Sequence, residues 1–298
     1  MKAVAIYNPA AGQRDAHRSL DNALAYLAGH GWDVALEATL GRGDTTTYAR
    51  SAVQAGADAV IVVGGDGSIN EAVQALAGSP TALAVLPSGT GNVWARQVGI
   101  PLNDLLGAAR TLVDGQVLTV DLGLAGDRYF LMWAGIGFDA TVAQDLEDTQ
   151  PDLKRRLGMA AFVLRGAAVA VNFMGSRLVY HVDGRRFRRR TIMAVLSNGS
   201  LYAAYLRLAP NAHMDDGLLD FYIFKGRDAL ATGRHFAGLV AGQHVRDPEV
   251  EYYQVRRLEV HGGASMPIHT DGEPAGRTPM DFRVAPAALH VIVSPVVQ

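Results

Sequence analysis

The run Gly64-Gly65-Asp66-Gly67-Ser68 sets three glycines and one carboxylate in five residues, directly after the apolar stretch 59–63 and directly before a helical pattern. Beyond the carboxyl end of a strand, a helix N-terminus offers backbone N–H groups and partial positive charge to a phosphate, and glycines let the backbone come close. A bare Asp66 carboxylate about 4 Å from a phosphate charge would be repelled by roughly 1 to 4 kcal/mol, so a cation between them is expected. Magnesium suits that place because it takes carboxylate, water and phosphate oxygens together. An ordinary tight turn would also use the glycines but gives no reason for the acid.

A second turn, Pro87-Ser88-Gly89-Thr90-Gly91-Asn92, follows another strand-like run and precedes a short helix, 93–97. Thr90 and Asn92 bring neutral groups suited to phosphate or ribose oxygens. Asn8-Pro9-Ala10-Ala11-Gly12 is a third turn of the same kind. Far downstream, Asp271-Gly272 reads as a hairpin turn between strand-like segments. The chain has no cysteine, which excludes disulfides, thiolate metal sites and cysteine nucleophiles. Its nine histidines show no metal-ligand spacing, and no Gly-Lys pair precedes Ser or Thr as a Walker A loop requires.

The elements that must carry these turns follow from hydrophobic period. Residues 4–7, 32–39, 59–63 and 82–86 read as strands; 19–27, 44–55 with Asp44 as cap, and 68–76 with Ser68 as cap read as helices. Alternation of this kind implies an α/β fold with a doubly wound parallel sheet. Strand-like runs dominate after Asp121, at 129–133, 178–182, 191–196, 218–224 and 257–260, interrupted by one long helical pattern from about Asp152 to Phe173. The division expected is an α/β nucleotide-binding domain over 1–123 and a β-rich domain over 124–285, with a last strand within 286–298 free to return to the first.

Three runs in this order, Asn8-Pro9 with glycine after it, Gly64-Gly65-Asp66-Gly67-Ser68-Ile69-Asn70-Glu71, and Ser88-Gly89-Thr90-Gly91-Asn92, resemble the diacylglycerol kinase catalytic family, which includes sphingosine and ceramide kinases. The resemblance continues through Asp121-Leu122-Gly123, Gly135 to Ala140, Asp215-Asp216-Gly217-Leu218 and Asp271-Gly272-Glu273, over most of the chain. It implies a C-terminal β-sandwich beside the α/β domain, an active cleft between the two, and an ATP- and Mg2+-dependent lipid kinase. By that resemblance Thr39, Gly64 to Asn70 and Thr90 bind ATP, with Asn8 and Asn92 beside them. Asp66, Asp121 and Asp215 hold the catalytic magnesium through water, and Asp216 with the carbonyl of Leu218 holds a structural cation. The residue three before Asp216 usually joins that second site and is His213 here. Val93 stands where the family often has an aspartate. Asp271 is the expected catalytic base, with Glu273 nearby.

Two rivals stay open: an NAD kinase-like enzyme with a soluble acceptor, which would share the Gly-Gly-Asp-Gly loop, and a nucleotide-binding regulator without turnover. Against the first, Asn70 and Glu71 belong to the element of the loop itself. Gly135-Ile136-Gly137 resembles a dinucleotide fingerprint but sits in the β-rich half and is not read as one. Arg185, Arg186, Arg188, Arg189 and Arg190 follow the hairpin signal Asp183-Gly184 and are either a charged edge or a lipid-headgroup patch. With 27 basic against 29 acidic side chains and a net charge of −2, nucleic acid is not an expected partner. The expected partner is a lipid substrate; peripheral contact with a membrane and a homodimer are left open. The expected location is cytoplasmic, at the inner membrane face if peripheral, since the N-terminal apolar run is too short for a signal peptide.

Overall fold

A computed structural model describes residues 1–9, 16–149, 159–203, 206–262 and 265–295. The chain divides into two compact units, Met1–Val120 together with Ala287–Gln298, and Asp121–Pro286.

In the first unit β1 (Lys2–Tyr7), β2 (Asp33–Ala38), β3 (Ala59–Gly64) and β4 (Ala82–Pro87) run parallel in the order β2-β1-β3-β4. Every residue of β3 and β4 is buried, as central strands covered on both faces must be, and their unbroken apolar sequences follow from it. Helices α1 (Ala16–Gly29), α2 (Asp44–Gln54), α3 (Asp66–Leu76), α4 (Val93–Gln97) and α5 (Leu105–Asp114) complete the unit. α3 buries Ile69, Ala72, Val73 and Leu76, one stripe at helical spacing. Tyr7 lies level with Ala38 and Val63, and Gly64 with Pro87, so the carboxyl ends of the four strands share one edge. A strand segment within residues 287–293 adds to the other side of β4, pairing Val291 with Leu83 in parallel.

Two helix starts differ from the sequence reading. Asp44 is the first residue of α2, and its carboxylate accepts from the N–H groups of Leu40 and Gly41 in the preceding loop instead of capping the helix. α3 starts at Asp66 with Gly65 as its N-cap, so Ser68 is inside the first turn. There it packs on Gly64, where an added Cβ would stand 3.0 Å from the serine Oγ.

The second unit is antiparallel. The chain enters through β5 (Gln116–Ala125) and β6 (Arg128–Phe130), and β7 (Trp133–Gly137), β8 (Ser176–Val182) and β9 (Arg185–Ser197) follow. Short β10 (Leu201–Tyr202) and β11 (Leu206–Arg207), then β12 (Leu219–Lys225), β13 (Val250–Val255), β14 (Arg257–Gly262), β15 (Pro267–Thr270), β16 (Glu273–Arg277) and β17 (Met280–Val293) complete it. The long strand β9 serves two neighbourhoods. Its first half pairs with β8, and its second half lies between β7 and β12. Phe130, Ile136, Tyr180, Leu196, Phe221 and Phe282 fill the core of this β-sandwich-like unit. Helices α6 (Phe138–Thr149), α7 (Met159–Ala170) and α8 (Ala229–Val240) accompany it.

The strand expected over 129–133 is broken at Leu131 and Met132, for a reason that belongs to the site below. A helix, α6, does follow Gly135-Ile136-Gly137, yet β7 is antiparallel to both of its neighbours, so no dinucleotide-binding βαβ unit exists there. Asp183 and Gly184 form the β8–β9 hairpin, both with positive φ. On β9 behind it Arg189 pairs with Glu251 at 2.7 Å, while Arg185, Arg186, Arg188 and Arg190 are exposed. The start of the helix expected from Asp152, with Lys154 to Arg156, lies outside the described residues, as do Ala10 to Gly12. Among the described residues no helix is long and apolar enough to cross a membrane.

Candidate active site

In the first unit the predicted ligand residues gather on the shared strand edge. Asn8 follows β1, and Thr39 follows β2, with its backbone N–H donating to Tyr7 O at 2.9 Å. The loops after β3 and β4 meet backbone to backbone: a Cβ on Gly89 would stand 2.6 Å from Gly65 Cα, and Ser88 N–H donates to Gly64 O at 3.0 Å. No residue but glycine leaves that approach open. Asn92 holds the second loop in shape with positive φ and with Nδ2 donating to Gly89 O at 2.6 Å. Its Oδ1 is buried with no hydrogen-bond partner among the described residues, 3.0 Å from where a Gly89 Cβ would be. Asp66, at the start of α3, accepts from Trp94 N–H at 3.3 Å, and a Cβ on Gly91 would lie 2.9 Å from its Oδ2. Gly67 is exposed on the first turn of α3, Asn70 is buried on that helix, and Thr90 is exposed in the second loop. Asn70 and Glu71 share α3, and Glu71 accepts from Gly43 N–H at 3.1 Å, tying α3 to α2.

In the second unit Asp271 and Gly272 form the two-residue turn between β15 and β16, with φ of 50° and 84°. That pair of positive φ values is the hairpin geometry Asp-Gly favours. The turn does more than reverse the chain. Both Asp271 carboxylate oxygens accept backbone N–H groups, from Leu131 at 2.8 Å, Met132 at 2.9 Å and Trp133 at 3.0 Å, and Asp271 N–H donates back to Trp133 O at 2.9 Å. Residues 131 and 132 leave the strand ladder because their N–H groups point to this carboxylate. Charge-assisted bonds of this kind fix the group in place. Glu273 opens β16, opposite Thr270, and Arg128 Nε donates to Thr270 Oγ1 at 3.0 Å.

Asp121 is buried. Its Oδ2 accepts from Gly217 N–H at 2.6 Å, and its own N–H donates to Met214 O at 2.6 Å. Asn198, fully buried, donates through Nδ2 to the carbonyls of Asp121 (2.8 Å) and Leu131 (2.9 Å), so one amide joins the aspartate to the segment that grips Asp271. Asp215, Asp216 and His213 are exposed on the same loop, and Asp216 accepts from Leu218 N–H at 2.9 Å. Among the described residues no three His, Cys, Asp or Glu side chains converge as a metal cage. Nearby Asp220 is buried; burial raises its carboxyl above the usual range, against the hydrogen bond from Tyr252 at 2.5 Å.

Two polar residues that the sequence reading left without a role, Asp139 and His269, are buried together behind the Asp271 turn, with 3.0 Å between Asp139 Oδ2 and His269 Nε2. Tyr202 donates to the same oxygen at 3.0 Å, and burial followed by the Asp139 charge pushes its phenol well above its usual range. Asp139 and Tyr202 also line a cavity of about 400 Å3 whose wall is almost wholly apolar, formed with Phe138, Ile192, Phe224 and Leu239. Residue spacing could not announce this assembly, because Asp139 and His269 are 130 positions apart.

The family model of the diacylglycerol kinase catalytic domain matches residues 2–125, and that of the YegS C-terminal NAD kinase beta sandwich-like domain matches residues 133–293. A diacylglycerol kinase of Bacillus subtilis (strain 168) is 30% identical over 291 residues, covering 97% of this chain and 95% of its own. One of Staphylococcus aureus (strain MRSA252) is 30% identical over 279 residues, covering 93% of this chain and 87% of its own. A crystal structure of a diacylglycerol kinase from Bacillus anthracis str. Sterne is similar at a TM-score of 0.83 and 26% identity, covering 100% of this chain and 98% of that one.

Proposed function

The chain belongs to the diacylglycerol kinase family, and from that premise we propose that it transfers the terminal phosphoryl group of ATP, with magnesium, to a hydroxyl of diacylglycerol or a related membrane lipid. The observation that carries the lipid reading is the apolar cavity: its wall includes Asp139, and Asp139 is one histidine away from the turn that presents Asp271.

In this reading the ATP phosphates lie along the glycine loops after β3 and β4, beside Thr39, Thr90 and the start of α3, where backbone N–H groups and the helix dipole favour them. The hard oxygen of Asp66 suits magnesium, with Asp121 and Asp215 acting through water, and Asp216 with the Leu218 carbonyl suits a structural cation. When bound, magnesium neutralises charge on the phosphates. The acceptor hydroxyl hydrogen-bonds to Asp271, which the 131–133 N–H groups keep oriented. Its oxygen forms the new bond to the γ-phosphorus as the bond from that phosphorus to the bridging oxygen breaks; ADP leaves and Asp271 takes the hydroxyl proton. Glu273 assists at the mouth of the hairpin. A lipid acceptor brings peripheral contact with the inner membrane face.

The test is transfer of labelled phosphate from ATP with magnesium to a panel of lipids in mixed micelles, with Asp271→Asn in parallel. Expected are a labelled lipid from the wild type and none from the variant, which still binds nucleotide. The similarity of residues 133–293 to an NAD kinase beta sandwich-like domain makes NAD a second acceptor to include. Label on NAD alone would establish the soluble-acceptor enzyme, and nucleotide binding without transfer to any acceptor would establish a regulator.

A further inference from the structure

Tyr202, Asp139 and His269 are 6%, 2% and 2% exposed, and the transfer chemistry uses none of them. His269 Nδ1 accepts the N–H of Gly272 at 3.2 Å, which leaves no room for a proton on Nδ1 and puts the ring proton on Nε2, aimed at Asp139 Oδ2. Asp139 Oδ1 accepts from Ala140 N–H at 2.9 Å, so both carboxylate oxygens are engaged. Gly135 makes the approach feasible, because a Cβ there would overlap the Asp139 carboxylate and His269 Nε2. A second path runs beside the first: the Tyr202 ring lies 5.4 Å from the ring of Trp133, and the backbone N–H of Trp133 donates to Asp271. A buried polar chain contributes little stability beyond apolar packing of equal volume; what it adds is fixed geometry.

We infer that Tyr202, Asp139 and His269 are positioning residues that hold the Asp271–Gly272 turn from its buried side, and that an acyl chain in the cavity tightens this hold because Asp139 and Tyr202 form part of the cavity wall. The inference rests on the lipid-kinase reading. The geometry assigns the three residues no contact with reacting atoms. Their effect passes through Asp271 and the N–H groups of residues 131–133.

The experiment is hydrogen–deuterium exchange of the peptide containing Leu131, Met132 and Trp133, with and without dioctanoylglycerol micelles, together with steady-state kinetics. Tyr202→Phe keeps the ring against Trp133 and removes only the hydroxyl. In the wild type, exchange is expected to slow when the lipid is added; in Tyr202→Phe that slowing is lost. The kcat for lipid phosphorylation should fall about tenfold with KM for ATP unchanged, since a misplaced catalytic group costs turnover and not nucleotide binding. His269→Gln, which keeps a donor toward Asp139, should retain more turnover than His269→Ala. An unchanged exchange response and kcat in Tyr202→Phe, or equal losses in the two His269 variants, would overturn the positioning role while lipid phosphorylation by the wild type stands. No lipid phosphorylation by the wild type would overturn the lipid-kinase reading and this inference with it.

Discussion

The glycine loops of the first unit and the Asp271 turn of the second reach close approach by opposite means. At Gly65 and Gly89 two backbones meet because side chains are missing, and a Cβ on Gly89 would come within 2.6 Å of Gly65 Cα. At Asp271 one side chain draws in three backbone N–H groups that would otherwise belong to a strand. The first construction tolerates no added atom, and the second tolerates no removed one. One yields a concave surface shaped for a ligand's oxygens; the other yields a charge fixed before any ligand arrives.

Removal at the second construction carries the largest effect. Asp271→Ala strips the acceptor from the three N–H groups as well as the proposed base. Phosphoryl transfer should fall by about 10²- to 10⁴-fold, the range of general-base catalysis. Urea denaturation should show a loss of about 1–3 kcal/mol from the unsatisfied N–H groups. Asp271→Asn keeps an acceptor oxygen and should recover most of the stability without the turnover. Addition at the first construction comes next. Gly89→Ala should weaken nucleotide binding in calorimetry and cost about 1–3 kcal/mol, as overpacking does, while leaving the Asp271 turn intact.

A smaller effect separates Asp271, which is half-buried, from a fully buried carboxylate of its unit. Asp220 is held by the Tyr252 hydroxyl, and burial raises its pKa. With the folded value above the unfolded one, the native state holds the proton more firmly. This contribution to stability is complete below the ordinary aspartate range and is lost as pH rises through the raised value. Urea midpoints measured across that interval should therefore decline in the wild type and flatten in Asp220→Asn. The smallest effect expected is at the arginines of β9. Arg186→Ala and Arg188→Ala, both at exposed positions, should stay within about 0.5 kcal/mol. Thermal melts of the three variants should show Arg189→Ala costing more, because it removes the pair with Glu251 and the contact over the Phe187 ring.

The α/β sheet and the glycine loops were legible because both are local: a strand, a turn and a helix announce themselves within about a dozen residues, and the apolar runs of β3 and β4 follow from burial on two faces. Asp271-Gly272 was legible as a turn for the same reason. Its grip on Leu131 to Trp133 was not, because it spans some 138 to 140 positions, and the run 129–133 carries full strand propensity until a distant carboxylate competes for its N–H groups. Asp139 lies in a glycine-rich string that resembles a nucleotide fingerprint; only the antiparallel partners of β7 and the approach of His269 give it another part. Asn198 offers no local signal at all, since an isolated asparagine in a strand-to-loop junction becomes a bridge only when Asp121 and Leu131 come to it.

The parallel pairing of Val291 with Leu83 gives the first unit a timetable. Its sheet takes a strand from residues 287–293, so a ribosome must decode the whole of 121–286 before β4 acquires that neighbour. Until then the nascent sheet has an open flank along a fully apolar strand, the kind of edge that recruits wrong partners. A chain stopped near position 286 would strand the glycine loops on a sheet lacking its closing member.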